Sequence, residues 1–468
     1  MIESVLTRLI LRGSVWTAVS KIAIIGCLKR CDVSIFITFK GDLMRVLLGL
    51  TLWLALWCSP SAWAEPVFGD HIDEIIIDDG LTLKEVVETT FERYPQSALI
   101  EAYQEEARAL EQRSSSWIAG YPMIYLQYID DALISNRGIS DIQSGYQVPL
   151  WMWGQKDASQ KVSDEAKEAA EYYTVAMKHE IAGLVRDTLW NWRLVENRRD
   201  IAGKILEVAE KLTRVVQRRV ELGDLARADL LLAESDELEK KTLYLQAEAE
   251  VMHARKAYQN LTRMTRVPRH LEEKLSKVRD MDERHPAIAA ANASVERAQA
   301  EVELTRLSKQ GNQPTVLLGS DSTSIGQTNK DGSYGTSRNY GTGTNLVFQI
   351  PIGGDDWHAP QVAQANLLLN EKIVQRETLR RQLEKALHEA QHNFEVDTVA
   401  MAIADRRKTI AVTQIEMSKI AFEAGEVALI DYLKILSGAQ AAIRDAAERA
   451  ILLEKDTAVI NQVLGISP

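Results

Sequence analysis

The sequence predicts a mainly α-helical fold combined with a membrane β-barrel, in which two structural repeats each supply a long antiparallel helical hairpin and two barrel strands. Three observations support this prediction: tracts rich in alanine, glutamate, lysine, leucine and arginine, two hairpin tips, and two pairs of β-type segments. Of the 468 residues, 46% are hydrophobic but only 6% are aromatic. The duplication favours one structure built from two halves over the roughly three domains that length alone would suggest.

The first 64 residues are expected to be a leader. A basic start at Met44 is followed by an apolar run and by an A-x-A site ending at Ala64, so we predict a secretory signal peptide cleaved after Ala64. A transmembrane anchor is the alternative, but the apolar run is short for a span and ends at Pro60. Residues 1–43 are then either a mis-called start or an unusually long leader.

The cysteines Cys27, Cys31 and Cys58 all lie in this leader. A chain that starts at Glu65 therefore has no thiol for a disulfide, a zinc site or nucleophilic catalysis. The bulky Trp57 argues against lipidation of Cys58. Removing the leader takes away 7 of 55 basic and 3 of 66 acidic residues, and the resulting net charge of −15 repels nucleic acid and tolerates cations.

The first predicted repeat covers residues 65–281. Thr82 followed three residues later by Glu85 is a capping box that starts a helix. Two β-rich segments, at about 122–130 and 145–153, flank a turn region and predict a β-hairpin.

A long helix pattern follows Gly154 and continues for about 68 residues, or about 100 Å. Its apolar residues alternate in steps of three and four, as in a coiled-coil seam, and so do those of the returning helix. The two seams are Ile201, Ile205, Val208, Leu212, Val215 and Leu222, with Arg219 filling one slot, then Ala228, Leu231, Ser235, Leu238, Thr242 and Leu245. The returning helix is predicted to end near Pro268.

The second predicted repeat covers residues 282–468 and keeps the same order of elements. Its strands are expected at about 314–323 and 344–352, separated by a loop rich in glycine, serine and asparagine over 324–344. Another long helix is predicted to begin near Pro360, a favoured first-turn residue.

Both helical hairpins have the same tip pattern. A glycine stops the helix and a new helical run begins within about four residues, as at the joint of two antiparallel helices. Gly223 precedes Asp229 by the same spacing at which Gly425 precedes Asp431.

The four β segments, at roughly nine or ten residues each, have the length of tilted membrane-crossing strands. Four strands cannot close a barrel, and an open sheet edge is not tolerated in lipid, so several copies of the chain would have to contribute. Two surface hairpins on a soluble helical protein are the alternative.

In this order the motifs resemble the TolC family of outer-membrane efflux proteins. The resemblance rests on Leu81-Thr82-Leu83-Lys84-Glu85 with Tyr94-Pro95, Val148-Pro149-Leu150, Gly223 with Asp229, His285-Pro286, Ile350-Pro351-Ile352-Gly353-Gly354, and Gly425 with Asp431. It extends over essentially the whole chain after the leader. Each motif is weak alone, whereas two copies in the right order are specific.

The resemblance implies a homotrimeric α/β-barrel duct. Twelve strands, four per chain, would form a barrel in outer-membrane lipid, and twelve helices would form a long periplasmic tunnel closed by the tips. The expected function is a passive conduit for small toxic solutes such as metal cations or drugs. Its partners would be an inner-membrane pump and a periplasmic adaptor that docks near Gly223 and Gly425.

The resemblance also implies a ring of acidic side chains that narrows and charges the periplasmic aperture. Asp431 is the main candidate and Asp229 holds the matching place in the first hairpin. Either could instead be a first-turn helix carboxylate. Some relatives carry a second acid one turn later, where this chain has Lys434.

No catalytic, cofactor or metal site is predicted, and we expect no enzyme activity. His388 and His392 lie four apart on a helix, but no H-E-x-x-H motif surrounds them. Two other functions stay open: a periplasmic adaptor or coiled-coil scaffold, and the outer-membrane component of type I protein secretion.

Overall fold

The computed structural model describes residues 75–468 apart from 132, 135–137, 309–312 and 329–333. The predicted leader and its cleavage site lie outside the described residues. The helices within them are α1 (Leu83–Arg93), α2 (Ser97–Ser115), α3 (Gln155–Glu221), α4 (Arg227–Thr262), α5 (Pro286–Ser308), α6 (Asp355–Glu423) and α7 (Leu429–Val463). The strands are β1 (Ile76–Asp78), β2 (Met123–Asp130), β3 (Ser140–Pro149), β4 (Arg266–Pro268), β5 (Thr315–Thr328) and β6 (Tyr334–Gln349).

The same order of elements occurs twice. A helix leads into a β-hairpin, which is followed by a long helix and a returning helix: α2, β2, β3, α3 and α4, then α5, β5, β6, α6 and α7. The long helices α3 and α6 have 67 and 69 residues, or about 100 Å each. Both α2 and α4 pack along α3, and both α5 and α7 pack along α6. The halves meet where α3 contacts α5 and α7. The division into repeats at residue 281 stays a prediction.

The two β-hairpins join into one antiparallel sheet with the strand order β2-β3-β5-β6. The halves therefore meet in the sheet at β3 and β5. Gly145 pairs with Gly319 at the centre of this contact. A Cβ at Gly319 would lie 2.0 Å from the Ser144 carbonyl oxygen, so only glycine allows the strands to approach this closely.

The first β-hairpin differs from the prediction in its second strand. This strand lies at Ser140–Pro149 rather than 145–153. Pro149 lacks the N–H that would extend the ladder, and the chain turns after it into α3. The Trp151 side chain, predicted to be in the strand, instead donates from Nε1 to the Ser116 carbonyl at 3.0 Å.

The second β-hairpin is longer than predicted. Its strands span Thr315–Thr328 and Tyr334–Gln349, rather than 314–323 and 344–352. Most of the predicted loop over 324–344 is strand. Cross-strand pairing, such as Ser324 with Tyr340, satisfies a backbone whose residue types would by themselves favour a loop.

Two helix boundaries were also predicted wrongly. Helix α4 ends at Thr262 rather than near Pro268, since β4 pairs in parallel with β1 and holds this segment extended. Helix α6 begins at Asp355, five residues before Pro360. Two aspartates in its first turn favour that earlier start, because negative side chains stabilise a helix N-terminus.

The predicted capping box at the start of α1 is confirmed. The Glu85 amide donates to Thr82 Oγ1 at 3.3 Å, and the Thr82 amide donates to Glu85 Oε2 at 3.0 Å. Helix α1 then packs on the helical hairpin of α3 and α4, where Val86 contacts a core that includes Ile181, Val185 and Tyr258.

A buried polar cluster ties the C-terminal segment to α3. Arg186 donates two hydrogen bonds to Glu273, both at 2.8 Å, and a third to the Ile466 carbonyl at 3.2 Å. His179, about two helical turns earlier, places Nε2 2.8 Å from the Gln462 carbonyl. Burial, with a smaller effect of the nearby His285, lowers the pKa of His179 to about 4. The imidazole is therefore neutral at neutral pH.

The two predicted seams are only partly buried within one chain. Val208, Val215 and Leu222 on α3 are exposed, as are Leu231, Leu238 and Leu245 on α4. Ile201 of the α3 seam is buried, and so are Ala209, Val216, Ala233 and Ala247, which lie outside the two seams. The exposed members of both seams are therefore available to other helices. No helix in the described part of the chain is both long and apolar enough to cross a membrane.

Candidate functional site at the hairpin tips

The two hairpin tips have the same backbone geometry. Gly223 and Gly425 adopt φ values of +84° and +80°, in the left-handed region that favours glycine. At the first tip the Gly223 amide donates to the Val220 carbonyl and the Asp224 amide to the Arg219 carbonyl. The second tip repeats both hydrogen bonds. This is the Schellman motif, which ends a helix and satisfies its last carbonyls.

The tips share a small apolar core. Val216 of α3 is fully buried, and it packs with Phe422 of α6 and with Leu429 and Tyr432 of α7. The rings of Phe422 and Tyr432 stack, with centroids 5.0 Å apart and planes within 6°. Burial raises the pKa of the Tyr432 phenol, which stays neutral. The core therefore holds the end of the first hairpin against the second.

Arg219 adds a polar contact between the tips. Its guanidinium donates to the carbonyls of Phe422 and Glu423, both at 3.1 Å, and lies over the Phe422 ring, 5.4 Å from the centroid. These carbonyls are at the C-terminus of α6, the negative end of the helix dipole, where a cation is favoured. The sequence pattern predicts Arg219 only as a residue that fills one slot of the α3 seam. The signal that could have revealed it is the single cation within an apolar heptad stripe.

The first candidate aperture residue, Asp229, is used by the helix start. Its side chain is half-buried, and Oδ2 accepts from the Ala226 amide at 3.2 Å. This contact satisfies one of the free N–H groups of α4. The geometry therefore favours the helix-start role for Asp229.

The second candidate, Asp431, holds the same helical position but a different environment. Its side chain is 61% exposed, and the contact made by its carboxylate is with Lys434 Nζ at 3.5 Å, also at the surface. An exposed pair of this kind adds little stability. The carboxylate therefore faces solvent and is available to ions, although Lys434 offsets part of its charge.

The two histidines for which no metal site is predicted lie on α6. The rings of His388 and His392 are parallel, with centroids 6.4 Å apart. Across the described residues, histidine, cysteine, aspartate and glutamate form no group of three or more placed to hold a metal ion.

Comparison with known proteins identifies the fold. No protein-family model and no curated protein matches the chain. Among solved structures, the outer membrane protein VceC of Vibrio cholerae matches 82% of this chain and 96% of its own, with 13% identity and a TM-score of 0.64. The Campylobacter jejuni CmeC outer membrane channel matches 82% and 85%, with 17% identity and a TM-score of 0.61.

The open state of the Neisseria gonorrhoeae MtrE outer membrane channel matches 84% of this chain and 91% of its own, at 16% identity and a TM-score of 0.60. Identities this low establish the fold. The predicted fold class, with its helical hairpins and barrel-type strands, is confirmed, and so is the resemblance to the TolC family at the level of the fold.

Proposed function

We propose that this chain, which has the TolC-family fold, is the outer-membrane channel subunit of a tripartite efflux system. Three copies would form a passive conduit from the periplasm to the exterior, without enzyme activity, for small toxic solutes such as metal cations or drugs. Its partners would be a periplasmic adaptor and an inner-membrane pump. The observation that carries the proposal is a sheet with one exposed apolar face, one polar face and two free edges.

The two faces of the sheet have opposite character. Register places Ile124, Tyr146, Leu318 and Leu346 side by side on one face, where all four are at least half exposed. The opposite face carries Gln127, Gln143, Asp321 and Gly343 in the same register. An apolar outer face and a polar interior are the pattern of a membrane barrel with a water-filled lumen. On a soluble protein the apolar face would remain unburied.

Aromatic side chains mark the end of the sheet that joins the helices. Trp117, Tyr121, Trp153 and Trp357 lie next to strand ends at this boundary, and each is at least 74% exposed. Tryptophan and tyrosine are favoured at a membrane–water interface because their rings have an apolar body and a polar atom. The boundary therefore fits the periplasmic surface of the outer membrane.

The free edges of the sheet support an assembly of several copies. Among the described strands, β2 pairs only with β3 and β6 only with β5, so each leaves one edge without backbone partners. Such edges are not stable in lipid. Closing β2 of one copy on β6 of the next removes them, and three copies give the twelve strands expected for the family.

The helices supply a matching contact. The outer edges of the helix row are α4 and α6, and each has an exposed stripe with a seven-residue repeat. The stripes are Leu231, Leu238, Leu245 and Met252 on α4, and Val396, Ile403, Ile410 and Met417 on α6.

The stripes also fit in size. Levels on the two helices can be compared by counting residues from the helix end at each tip, Arg227 of α4 and Glu423 of α6. To within about two residues, the small Ser235, Thr242 and Ala249 of α4 lie level with Met417, Ile410 and Ile403 of α6. Large side chains facing small ones allow close antiparallel packing. We propose that these stripes join neighbouring copies in the trimer.

The scaffold alternative explains these features less well. An adaptor would have one helical hairpin between β-rich lobes, whereas this chain has two helical hairpins and a single sheet at their opposite end. Type I secretion would use the same conduit with a different cargo, and we assign no cargo beyond the solute class above.

Membrane fractionation and conductance test the proposal. The expected result is an outer-membrane trimer that resists heat in detergent and forms pores in planar bilayers. Replacing Leu318 and Leu346 with aspartate should prevent membrane insertion, whereas the matched lumen-face change Gln143→Asp should not. A soluble periplasmic monomer would contradict the proposal and favour the scaffold.

A further inference from the structure

Two histidines of α6 belong to a short metal-binding pattern. The stretch reads His388-Glu389-Ala390-Gln391-His392, which is H-E-x-x-H, so the prediction that no such motif surrounds these histidines is wrong. In this pattern two imidazoles about one helical turn apart bind the same zinc ion. A match of this kind can bind metal only where the helix is continuous and both rings are accessible on one face.

The two imidazoles meet this condition. They lie within the unbroken helix α6, and both are exposed. Their rings are parallel, with centroids 6.4 Å apart. Within the described part of the chain, neither ring forms a hydrogen bond or an ion pair, so their nitrogen atoms are free. A tetrahedral zinc ion needs two nitrogens about 3.3 Å apart. Rotation of two exposed side chains on adjacent turns allows this distance.

The backbone that carries the pair is held by the rest of the chain. Leu387 and Ala390, beside and between the two histidines, are buried in an apolar cluster with the end of α7. Gln391 Nε2 donates to the Arg279 carbonyl at 2.9 Å. Binding of a metal would therefore order only side chains, because the turn that presents them is already formed and anchored.

Carboxylates flank the pair. Glu384 and Glu395 lie about one turn before it and one turn after it, and both are exposed. Among the described residues, neither glutamate has an ion-pair or hydrogen-bond partner. Side chains of a helix lean toward its N-terminus, so Glu395 leans toward the histidines and is the better-placed third ligand. The nearby Lys385 pairs with Glu389 at 3.6 Å.

We propose that His388 and His392 bind one divalent transition-metal ion of the zinc and copper class, with Glu395 or water at the remaining positions. Imidazole suits both metals, and divalent copper binds more tightly than zinc to most sites of nitrogen and oxygen ligands. The inference goes beyond the proposed function and does not depend on the trimer, because both histidines belong to one helix of one chain.

The geometry points to a binding site rather than to a hydrolytic centre. Catalytic zinc has three protein ligands, and substrates bind in a cleft. In the part of the chain that the structure describes, no three potential ligands are gathered for a metal, and the pair lies on an exposed helix face. An ion that bridges adjacent turns should instead stabilise α6, since it binds the helical form in preference to the unfolded one.

Isothermal titration calorimetry tests the inference on the untagged full-length protein in detergent. We expect one zinc ion per chain, tighter binding of Cu²⁺, and no binding of Mg²⁺ at this site, because Mg²⁺ prefers oxygen ligands. His388→Gln and His392→Gln should each weaken zinc binding at least about tenfold, since each removes one of two imidazoles. Zinc affinity that is unchanged in both variants would overturn the inference.

Matched controls separate this pair from the other histidines. His253→Gln and His270→Gln each change a single exposed histidine, and both should bind zinc like the wild type. Glu395→Gln should weaken zinc binding less than either change in the pair, because water can replace the carboxylate. An equal loss in His253→Gln and His388→Gln would mean that the metal lies elsewhere and would overturn the inference.

Hydrogen exchange locates the ion. Zinc should slow exchange of the amides over residues 384–395 in the wild type but not in His388→Gln, because the bridged turn opens less often. The same protection in His388→Gln would overturn the inference. A chain that binds zinc at this pair but forms no trimer would support the inference and refute the proposed function. A conducting trimer that binds no zinc would refute the inference alone.

Discussion

The two hairpin tips share a backbone but differ in their side chains. Both end a long helix with a Schellman motif at a glycine, Gly223 or Gly425. The first tip is basic, with Arg218 and Arg219 before its glycine. The second is aromatic, with Phe422 before its glycine and Tyr432 after it. The turn, which needs a particular φ, is therefore the same at both tips, whereas the surrounding side chains differ.

Because of this difference, only the first tip supplies the cation in the polar contact that Arg219 makes between the tips. Counted from the two glycines, Arg219 corresponds to Ala421, so the second tip has no cation at the matching position with which to return the contact. The first tip donates hydrogen bonds, and the second supplies the carbonyls and the ring that accept the cation. A contact of this kind can be broken from one side without altering the turn of the other.

The largest expected effect follows from loss of the aromatic ring. Phe422→Ala should destabilise the tip by about 4 kcal/mol, because it leaves a cavity under the stacked Tyr432. Hydrogen exchange of the tip amides in α6 and α7 would measure the loss. The corresponding change in the first hairpin, Val220→Ala, removes a smaller and only half-buried side chain, so about 1 kcal/mol is expected. Equal effects would show that the tips are energetically equivalent.

The hairpins also differ in their buried titratable groups. On α3, burial lowers the pKa of His179 to about 4, whereas on α7 burial and then Asp397 raise the pKa of Asp456 to about 6. The unfolded state binds a proton at His179 below about pH 6.5, so this group lowers stability as pH falls from 6.5 to 4. At Asp456 the folded state holds a proton up to about pH 6, whereas the unfolded state loses it near pH 4, so this group lowers stability as pH rises from about 4 to 6.

A pH series of thermal unfolding on single variants separates these effects. His179→Gln keeps a donor for the Gln462 carbonyl. It should remove up to about 3 kcal/mol of the stability that is lost as pH falls from about 6.5 to 4. Asp456→Asn should raise stability above pH 6 by about 1 kcal/mol, since its partly exposed carboxyl is screened by solvent. His270→Gln changes an exposed histidine and is the control. An unchanged pH profile in His179→Gln would contradict the assignment.

Features governed by neighbouring residues along the chain were predictable from sequence. The tips need left-handed glycines, the Thr82–Glu85 capping box is a local pattern, and α3 contains no proline. Features set by distant partners were not predictable. The strands over 315–349 exist because each pairs with the other, despite many glycines and serines.

Helix orientation shows the same limit. The heptad stripes were found from sequence, but spacing alone does not say which partner a stripe faces. Val208 and Leu238, one in each stripe, are exposed within the single chain. Arg219 was missed for a related reason, because its role depends on carbonyls about 200 residues away.

The next expected effect concerns Arg219 itself. Arg219→Ala removes two charge-assisted hydrogen bonds to α6 and should weaken the contact between the tips by about 2 kcal/mol. We expect faster exchange at both tips and higher single-channel conductance, since the first hairpin would hold the second less firmly. Arg218→Ala is the matched control, because Arg218 is exposed and pairs with Glu221 on its own helix. If both variants conduct like the wild type, Arg219 stabilises the tips without gating the channel.

The smallest effects on stability should come from the two aspartates, and they should differ in kind. Asp229→Asn weakens a helix-start contact with the Ala226 amide and should cost about 0.5–1 kcal/mol, with ion selectivity unchanged. Asp431→Asn should leave stability unchanged, since its carboxylate is exposed. Three copies of Asp431 around a narrow aperture would attract cations, so its loss should lower cation selectivity and weaken block by multivalent cations.

Planar-bilayer recordings of both variants distinguish these outcomes, and Lys434→Gln sharpens them. Lys434 lies 3.5 Å from Asp431 and offsets its charge, so removing the lysine should raise cation selectivity while Asp431 is present. The cation selectivity of the double variant, Asp431→Asn with Lys434→Gln, should then be closer to that of Asp431→Asn than to that of Lys434→Gln. Wild-type selectivity in Asp431→Asn would show that Asp431, like Asp229, is only a helix-start residue. A loss of selectivity in Asp229→Asn instead would assign the aperture to the first tip.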